Sequence, residues 1–515
     1  MAKISQDNKR IAKNTIVLYI RMIVMMVVSF YTTRVILNAL GVDDYGINNV
    51  VGSLVSMFSL ISSSLSGSTS RFITFELGAG NKEKLRKTFI TSVNINIILA
   101  IIVTIAIETI GVWFLNNKMV IPPDRLYAAN WVLQCSVITF AIGLLSVPYN
   151  ASIIAHEKMS AFAYMTIFDA VAKLCIAIAI DYYNGDRLIL FAIISLIPTI
   201  VSQIIYCIYC KRNFEECRYK FLWDNKLFKE IGSYALWAYV GCTAGLMKDQ
   251  GVNIAINLFC GPTVNAARGI AMQVNGIISR FISNFTIALN PQIIKEYAAN
   301  NLQRMHKLVF TGTRFSYYLF MFLSIPVFLE IETILQLWLG KIPAGTILFA
   351  RLVLILSLVD IISQTLIVAQ SASGKIRNYQ IVIGGILILN FPISYYLLSK
   401  NIFPEVTVIV AIIISQICLL ARLLFLRKMV KLSIREFINK VYINVITVTI
   451  LSFIPPFIIY FYVTDGLYRF ITVFITSVIS SVIFIYLVGC NKQERQLIAQ
   501  NIKNITNKLH KSKND

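Results

Sequence analysis

Lys248 and Asp249 stand side by side in IGSYALWAYVGCTAGLMKDQGVNIAINLFCG, a run otherwise built of apolar and small residues. They have company. Nine cations fall inside long apolar blocks: Arg21, Arg34, Arg71, Lys173, Lys248, Arg268, Arg280, Arg314 and Arg351. The clearest acids in the same blocks are Glu108, Asp169, Asp249 and Asp360. An interior with more ammonium and guanidinium than carboxylate attracts anions. Guanidinium forks match the oxygens of phosphate and diphosphate. Asp249 and Asp360 are the acids whose placement suits proton or sodium coupling.

Each cation also has a plain reading. A charge at the bilayer centre costs about 2.5–3.5 kcal/mol even on lenient scales. Arg34, Arg268 and Arg351 lie near the ends of their blocks on one side, Arg21 and Arg314 near the other, where long side chains reach the interface. Lys173 has Asp169 one helical turn before it. Arg71 lies deeper, and Lys248 and Arg280 lie near block centres. Asp249 is about 100° around the helix from Lys248, so it is an imperfect partner.

Other chemistries find no support. SASGK at 371–375 lacks the first glycine and the final hydroxyl of a phosphate-binding loop. No nucleophile elbow or His-based catalytic set occurs. His156, His306 and His510 fall in polar connections, and the nine cysteines are scattered without metal spacing. The sequence therefore implies no enzyme, cofactor or metal, and energy drawn from an ion gradient or from the cargo's own gradient.

The elements that must carry these residues are membrane spans. The chain has 515 residues, 57% hydrophobic and 14% charged, against about 25% charged in soluble domains. Fourteen apolar blocks are long enough to cross a bilayer, which needs about 20 apolar residues per helix. The fold expected is all-α and polytopic. The net charge of +22 is not a nucleic-acid signature, because the basic residues cluster between blocks. One set of connections holds about 32 lysines and arginines and the alternate set about 6, so both termini are expected in the cytoplasm. The N-terminal run is too long for a cleaved signal.

The second half echoes the first at an offset of about 220 residues. Asn38 falls opposite Asn257, Gly41 opposite Gly261 or its neighbour, Glu76 opposite Glu296, and Asn81 opposite Asn301. An offset of six spans keeps both copies in one orientation, a parallel repeat. The expected domains are 1–225 (spans one to six), 226–432 (spans seven to twelve), 433–490 (two appended spans) and 491–515 (a basic cytoplasmic tail). The second span carries SMFSLISSSLSGSTS, whose small hydroxyls either pack helices closely or line a wet cavity. In the eighth, Arg268, Asn275, Ser279 and Thr286 form one polar stripe and Gln273, Arg280 and Asn284 its neighbour.

TTRVILNALGVDDYGINNVVGSLVSMFSLISSSLSGSTSRFITFELGAGN at 32–81 and CGPTVNAARGIAMQVNGIISRF at 260–281, with fourteen spans, resemble the polysaccharide repeat-unit flippases. These belong to the multidrug/oligosaccharidyl-lipid/polysaccharide (MOP) exporter superfamily. The resemblance implies a monomer of the bacterial inner membrane, with two six-helix lobes related by pseudo-symmetry. It implies alternating access, moving an undecaprenyl-diphosphate-linked glycan to the periplasmic leaflet for O-antigen or capsule synthesis. Besides that glycan and membrane lipids, polysaccharide polymerase and chain-length machinery are the implied partners. In such proteins, cations on spans one, two, seven and eight line the central cavity. Here those are Arg21, Arg34, Arg71, Lys248, Arg268 and Arg280, with Gln273, Asn275 and Asn284 for sugar contacts. A lipid II flippase shares this logic. A multidrug antiporter of the same superfamily would want acids and aromatics instead, and a polymerase or ligase a large periplasmic loop.

Overall fold

In hydrocarbon every backbone N–H and C=O must be paired within the protein, and a helix does this by itself. The computed structural model describes residues 2–119, 121–464, 466–496 and 499, and among them it contains helices and turns but no strand. Most of the basic tail expected over 491–515, His510 included, lies outside the described residues. Eleven helices are long and apolar enough to cross a membrane, or twelve if the bent pair Asp43–Ser56 and Ser59–Ala79 counts as one span. That pair meets at 49°. The expected seventh and eighth spans fall on the two arms of the helix Asn225–Ala298, which is not among the eleven. These arms are diluted by Lys248, Asp249, Arg268 and Arg280. The chain is an all-α polytopic membrane protein.

The 220-residue echo reappears as local geometry. Helix Ala2–Ser56 breaks at Gly41 (φ 81°, ψ 172°) and helix Asn225–Ala298 breaks at Gly261 (φ 80°, ψ 179°). This backbone region is open to glycine and nearly closed to other residues. Further on, Gly80 and Asn300 both take left-handed conformations at φ 72° and 58°. Asn81 then accepts a hydrogen bond from the Lys84 N–H (3.0 Å), and Asn301 from the Arg304 N–H (3.3 Å). Glu76 pairs with Lys84 at 2.9 Å and Glu296 with Arg304 at 3.2 Å. Break, cap and ion pair thus recur at one constant offset.

Two compact units emerge. The first comprises 1–245, 287–305 and 370–384, and the second 246–286, 306–369 and 385–515. Polar contacts tie the shorter segments into the first unit. The buried Glu157 carboxylate binds Lys295 at 2.7 Å, Arg10 at 2.7 Å and the Gln292 amide at 3.2 Å. Phe89, Ile73, Ile153 and Cys217 lie in its apolar core. The Ser-rich stripe packs: Ser64, Ser68 and Thr69 are buried, and the Ser64 hydroxyl donates to the Ala235 carbonyl at 2.6 Å.

In the second unit, Phe349, Val353, Ile331 and Ala271 lie in a core beneath the arm 262–286. The appended helices Ile434–Tyr462 and Leu467–Gly489 dock on Leu302–Leu329 through polar groups. The Tyr318 hydroxyl donates to Asn444, and Arg314 donates to the Gly489 carbonyl at 2.8 Å. Arg469 grips Glu330 at 2.9 and 3.2 Å.

Candidate functional site

The second unit gathers charge around Lys248. This lysine is 8% exposed, and its ammonium lies 3.5 Å from Asp360 and 3.4 Å from the Ser415 hydroxyl. Its carbonyl accepts from the Asn390 amide at 3.3 Å, which fixes the backbone here. The Asp360 side chain is 40% exposed. It opens on a cavity of about 220 Å³ lined also by Ser279, Ser283, Thr286, Ser357 and Gln364. Ser283 and Thr286 donate their hydroxyl protons to carbonyls of their own helix. They therefore present lone pairs to the cavity. The cavity wall thus combines one carboxylate, which is ion-paired to Lys248, with four hydroxyls and the Gln364 amide.

Asp249 is half-buried and feels the charges of Lys248, Arg268 and Asp360. Arg268 is buried and donates to Asn253, while its Nε has no hydrogen bond among the described residues. Arg280 and Gln273 are exposed. Asn275 keeps a buried carbonyl oxygen without a hydrogen bond among the described residues. Asn284 is buried and donates to the Arg280 carbonyl at 2.9 Å. The amide stripe thus lies apart from the cavity wall, which Ser279 and Thr286 share with Ser283. Asp360, an acid already notable in the sequence, shares helix Thr346–Ala372 with Ser357 and Gln364 at steps of three and four, a spacing that makes these two legible as its neighbours.

In the first unit, Arg21 lies 4.7 Å from the Phe162 ring and Arg34 is exposed. Arg71 is buried and occupied. Its Nε and Nη2 donate to the Ser371 and Ala372 carbonyls at 3.1 and 2.8 Å, the open end of helix Thr346–Ala372. Phe72, Phe75 and Tyr234 surround it at 4.5, 4.8 and 5.7 Å. The remaining cations have local partners: Lys173 with Asp169 at 2.8 Å, Arg314 with Glu494 at 2.6 Å, and Arg351 with the Phe328 carbonyl at 3.2 Å.

No family model and no curated protein matches the chain. Solved structures do. A multidrug resistance MATE transporter of the MOP superfamily, in an outward-facing conformation, superposes with a TM-score of 0.70 at 14% identity, covering 82% of this chain and 96% of that one. A MATE protein in complex with MaD3S gives 0.70 at 14% identity, covering 82% and 97%. A MOP-superfamily transporter from Pyrococcus furiosus, described as having a binding pocket of reverse polarity that suggests a different function, gives 0.70 at 13% identity, covering 82% and 96%. The chain has the fold of these transporters.

Proposed function

We propose that this protein is a flippase that moves undecaprenyl-diphosphate-linked oligosaccharide repeat units from the cytoplasmic to the periplasmic leaflet by alternating access. The observation that carries the reading is Lys248: a buried ammonium whose counter-ion is a half-exposed aspartate on a cavity. An arriving diphosphate brings more negative charge than Asp360 and displaces it from the ammonium. Asp360, left without its cation, takes up a proton or sodium ion, which links cargo binding to an ion. The polar wall of Ser279, Ser283, Thr286 and Gln364 receives sugar hydroxyls. Arg268 and Arg280 on the same arm add positive potential. Arg71, already committed to helix-end carbonyls, serves as a brace.

Lys248→Ala is expected to abolish surface polysaccharide while the protein still inserts at normal abundance, and Arg280→Ala to reduce it. Normal polymer length and amount in both variants counts against these roles. A multidrug antiporter is the second reading, favoured by the likeness to MATE transporters. A cationic dye expelled by cells making this protein, and no longer expelled by an Asp360→Asn variant, supports that reading over ours.

A further inference from the structure

The stretch 427–440, RKMVKLSIREFINK, carries five cations and one carboxylate. It joins helix Val406–Met429 to helix Ile434–Tyr462 within the second unit, on the side that the charge rule assigns to the cytoplasm. Hydrogen bonds shape the corner. The Val430 and Leu432 N–H groups both donate to the Leu426 carbonyl, at 3.0 and 3.3 Å, and Lys431 takes the left-handed backbone at φ 55°. His306 Nε2 donates to the Val430 carbonyl at 2.8 Å, and the Ser433 hydroxyl oxygen accepts from the Glu436 N–H at 3.3 Å. Phe437 is fully buried, its ring 5.8 Å from that of Phe310. Beside this corner lies a cavity of about 540 Å³, within the range of ligand sites.

One wall of this cavity is the first turns of helix Ile434–Tyr462. Ile434 and Ile438 form an apolar row one turn apart, and Arg435 and Asn439 a polar row beside it. Arg427, in the last turn of the preceding helix, lines the same cavity from the other side of the corner. Arg427 and Arg435 are exposed, and neither guanidinium has an ion pair or a hydrogen bond among the described residues. Glu436, the one acid of the stretch, is held by Lys440 at 2.7 Å and does not line the cavity. The wall is therefore cationic without a compensating carboxylate. Ile438 stands one turn further into the span than Ile434, so the apolar row leads from the interface toward hydrocarbon.

We propose that this cavity binds an anionic phospholipid of the leaflet it faces. The phosphate lies between the Arg427 and Arg435 guanidiniums, the headgroup hydroxyls meet Ser433 and Asn439, and the start of one acyl chain runs along Ile434 and Ile438. Guanidiniums without a local counter-ion favour a head with net negative charge over a zwitterionic one. Basic pockets between spans on the cytoplasmic side are suited to such heads. The apolar row beside the cations favours a lipid over a free anion. Inorganic phosphate offers the same oxygens without chains, and phosphatidylcholine the chains without net charge, so the test includes both. The cavity shares no lining residue with the one at Asp360, and the proposal stands independently of the cargo.

The full-length protein in detergent is titrated with dioleoyl-phosphatidylglycerol, and retained lipids are counted by native mass spectrometry. Saturable binding of a first lipid is expected. Arg427→Gln/Arg435→Gln should raise its half-saturation about tenfold or more. Lys428→Gln/Lys431→Asn removes the same charge from exposed positions outside the cavity, with asparagine tolerating the left-handed backbone at 431. This pair should raise half-saturation about threefold at most. In wild type, dioleoyl-phosphatidylcholine should bind about tenfold more weakly, and inorganic phosphate at the lipid's concentration should displace none of it. Equal shifts from the two double variants would reduce the effect to surface charge and overturn the site. So would phosphatidylcholine binding as tightly as phosphatidylglycerol, or displacement of the lipid by phosphate. The two wild-type comparisons give their answer even if the arginine variant fails to insert, and failure at this site leaves the Lys248→Ala expectation standing.

Discussion

Arg71 illustrates how a buried cation can be structural. Removing it leaves two helix-end carbonyls unpaired and an aromatic cage empty. Arg71→Ala is expected to cost about 2–4 kcal/mol of stability, read as a lower thermal midpoint in detergent, and Arg71→Lys to recover less than half of it. Gly374→Ala should destabilise too, from its φ of 75° and its approach to Arg71. Its cost should fall in an Arg71→Ala background, because the collision is then gone. A second residue-scale test concerns Glu216, in the connection at 214–217. Burial raises its pKa, but hydrogen bonds from His156 at 2.6 Å and from its own backbone outweigh this and hold it below the usual carboxylate range. A depressed carboxylate contributes stability above its unfolded pKa and loses it as pH falls through the lower folded value. Cys217, fully buried beside it, should therefore stay protected from maleimide from pH 8 down to pH 6, and become labelled at neutral pH in Glu216→Gln. At this scale the sequence was readable in part. The i,i+4 pair of Lys173 and Asp169 followed from spacing. The engagement of Arg71 with residues 300 positions away had no local signal.

At the scale of elements, the all-α polytopic fold and the glycine break were legible because lipid imposes helices and because φ near 80° with extended ψ demands glycine; of the fourteen expected spans, eleven or twelve are long and apolar enough among the described residues. The repeat register was legible within one residue, and the structure fixes it at Gly41 and Gly261. The bend at 49° was not, because no proline or glycine marks Met57 and Phe58. Gly41→Ala and Gly261→Ala should each cost about 1–3 kcal/mol, and similarly, since their dihedrals agree within a few degrees. Gly46→Ala, in helical backbone with open space around the new methyl, should be neutral or slightly stabilising. Equal effects at all three positions would show that the breaks are not held by backbone geometry.

For the molecule as a whole, the fold is shared with transporters at 13–14% identity, and a shared fold does not fix a function, which rests on the charge around the cavities. The excess of cations was visible in the sequence. The three-dimensional arrangement separates Arg71, Arg314 and Arg351, which donate to carbonyls or a carboxylate, from Lys248, whose ion-pair partner Asp360 lines a cavity. That division depends on which neighbours each side chain meets, information spread over distant segments of the chain. The direct measurement is flipping in proteoliposomes. Purified protein is reconstituted with a fluorescent undecaprenyl-diphosphate-linked oligosaccharide, and arrival in the opposite leaflet is followed with an impermeant lectin. Protein-dependent flipping is expected, falling at least tenfold in Lys248→Ala, with a cationic dye left unmoved. Flipping at the wild-type rate in Lys248→Ala, or transport of the dye but not the lipid, would contradict this reading.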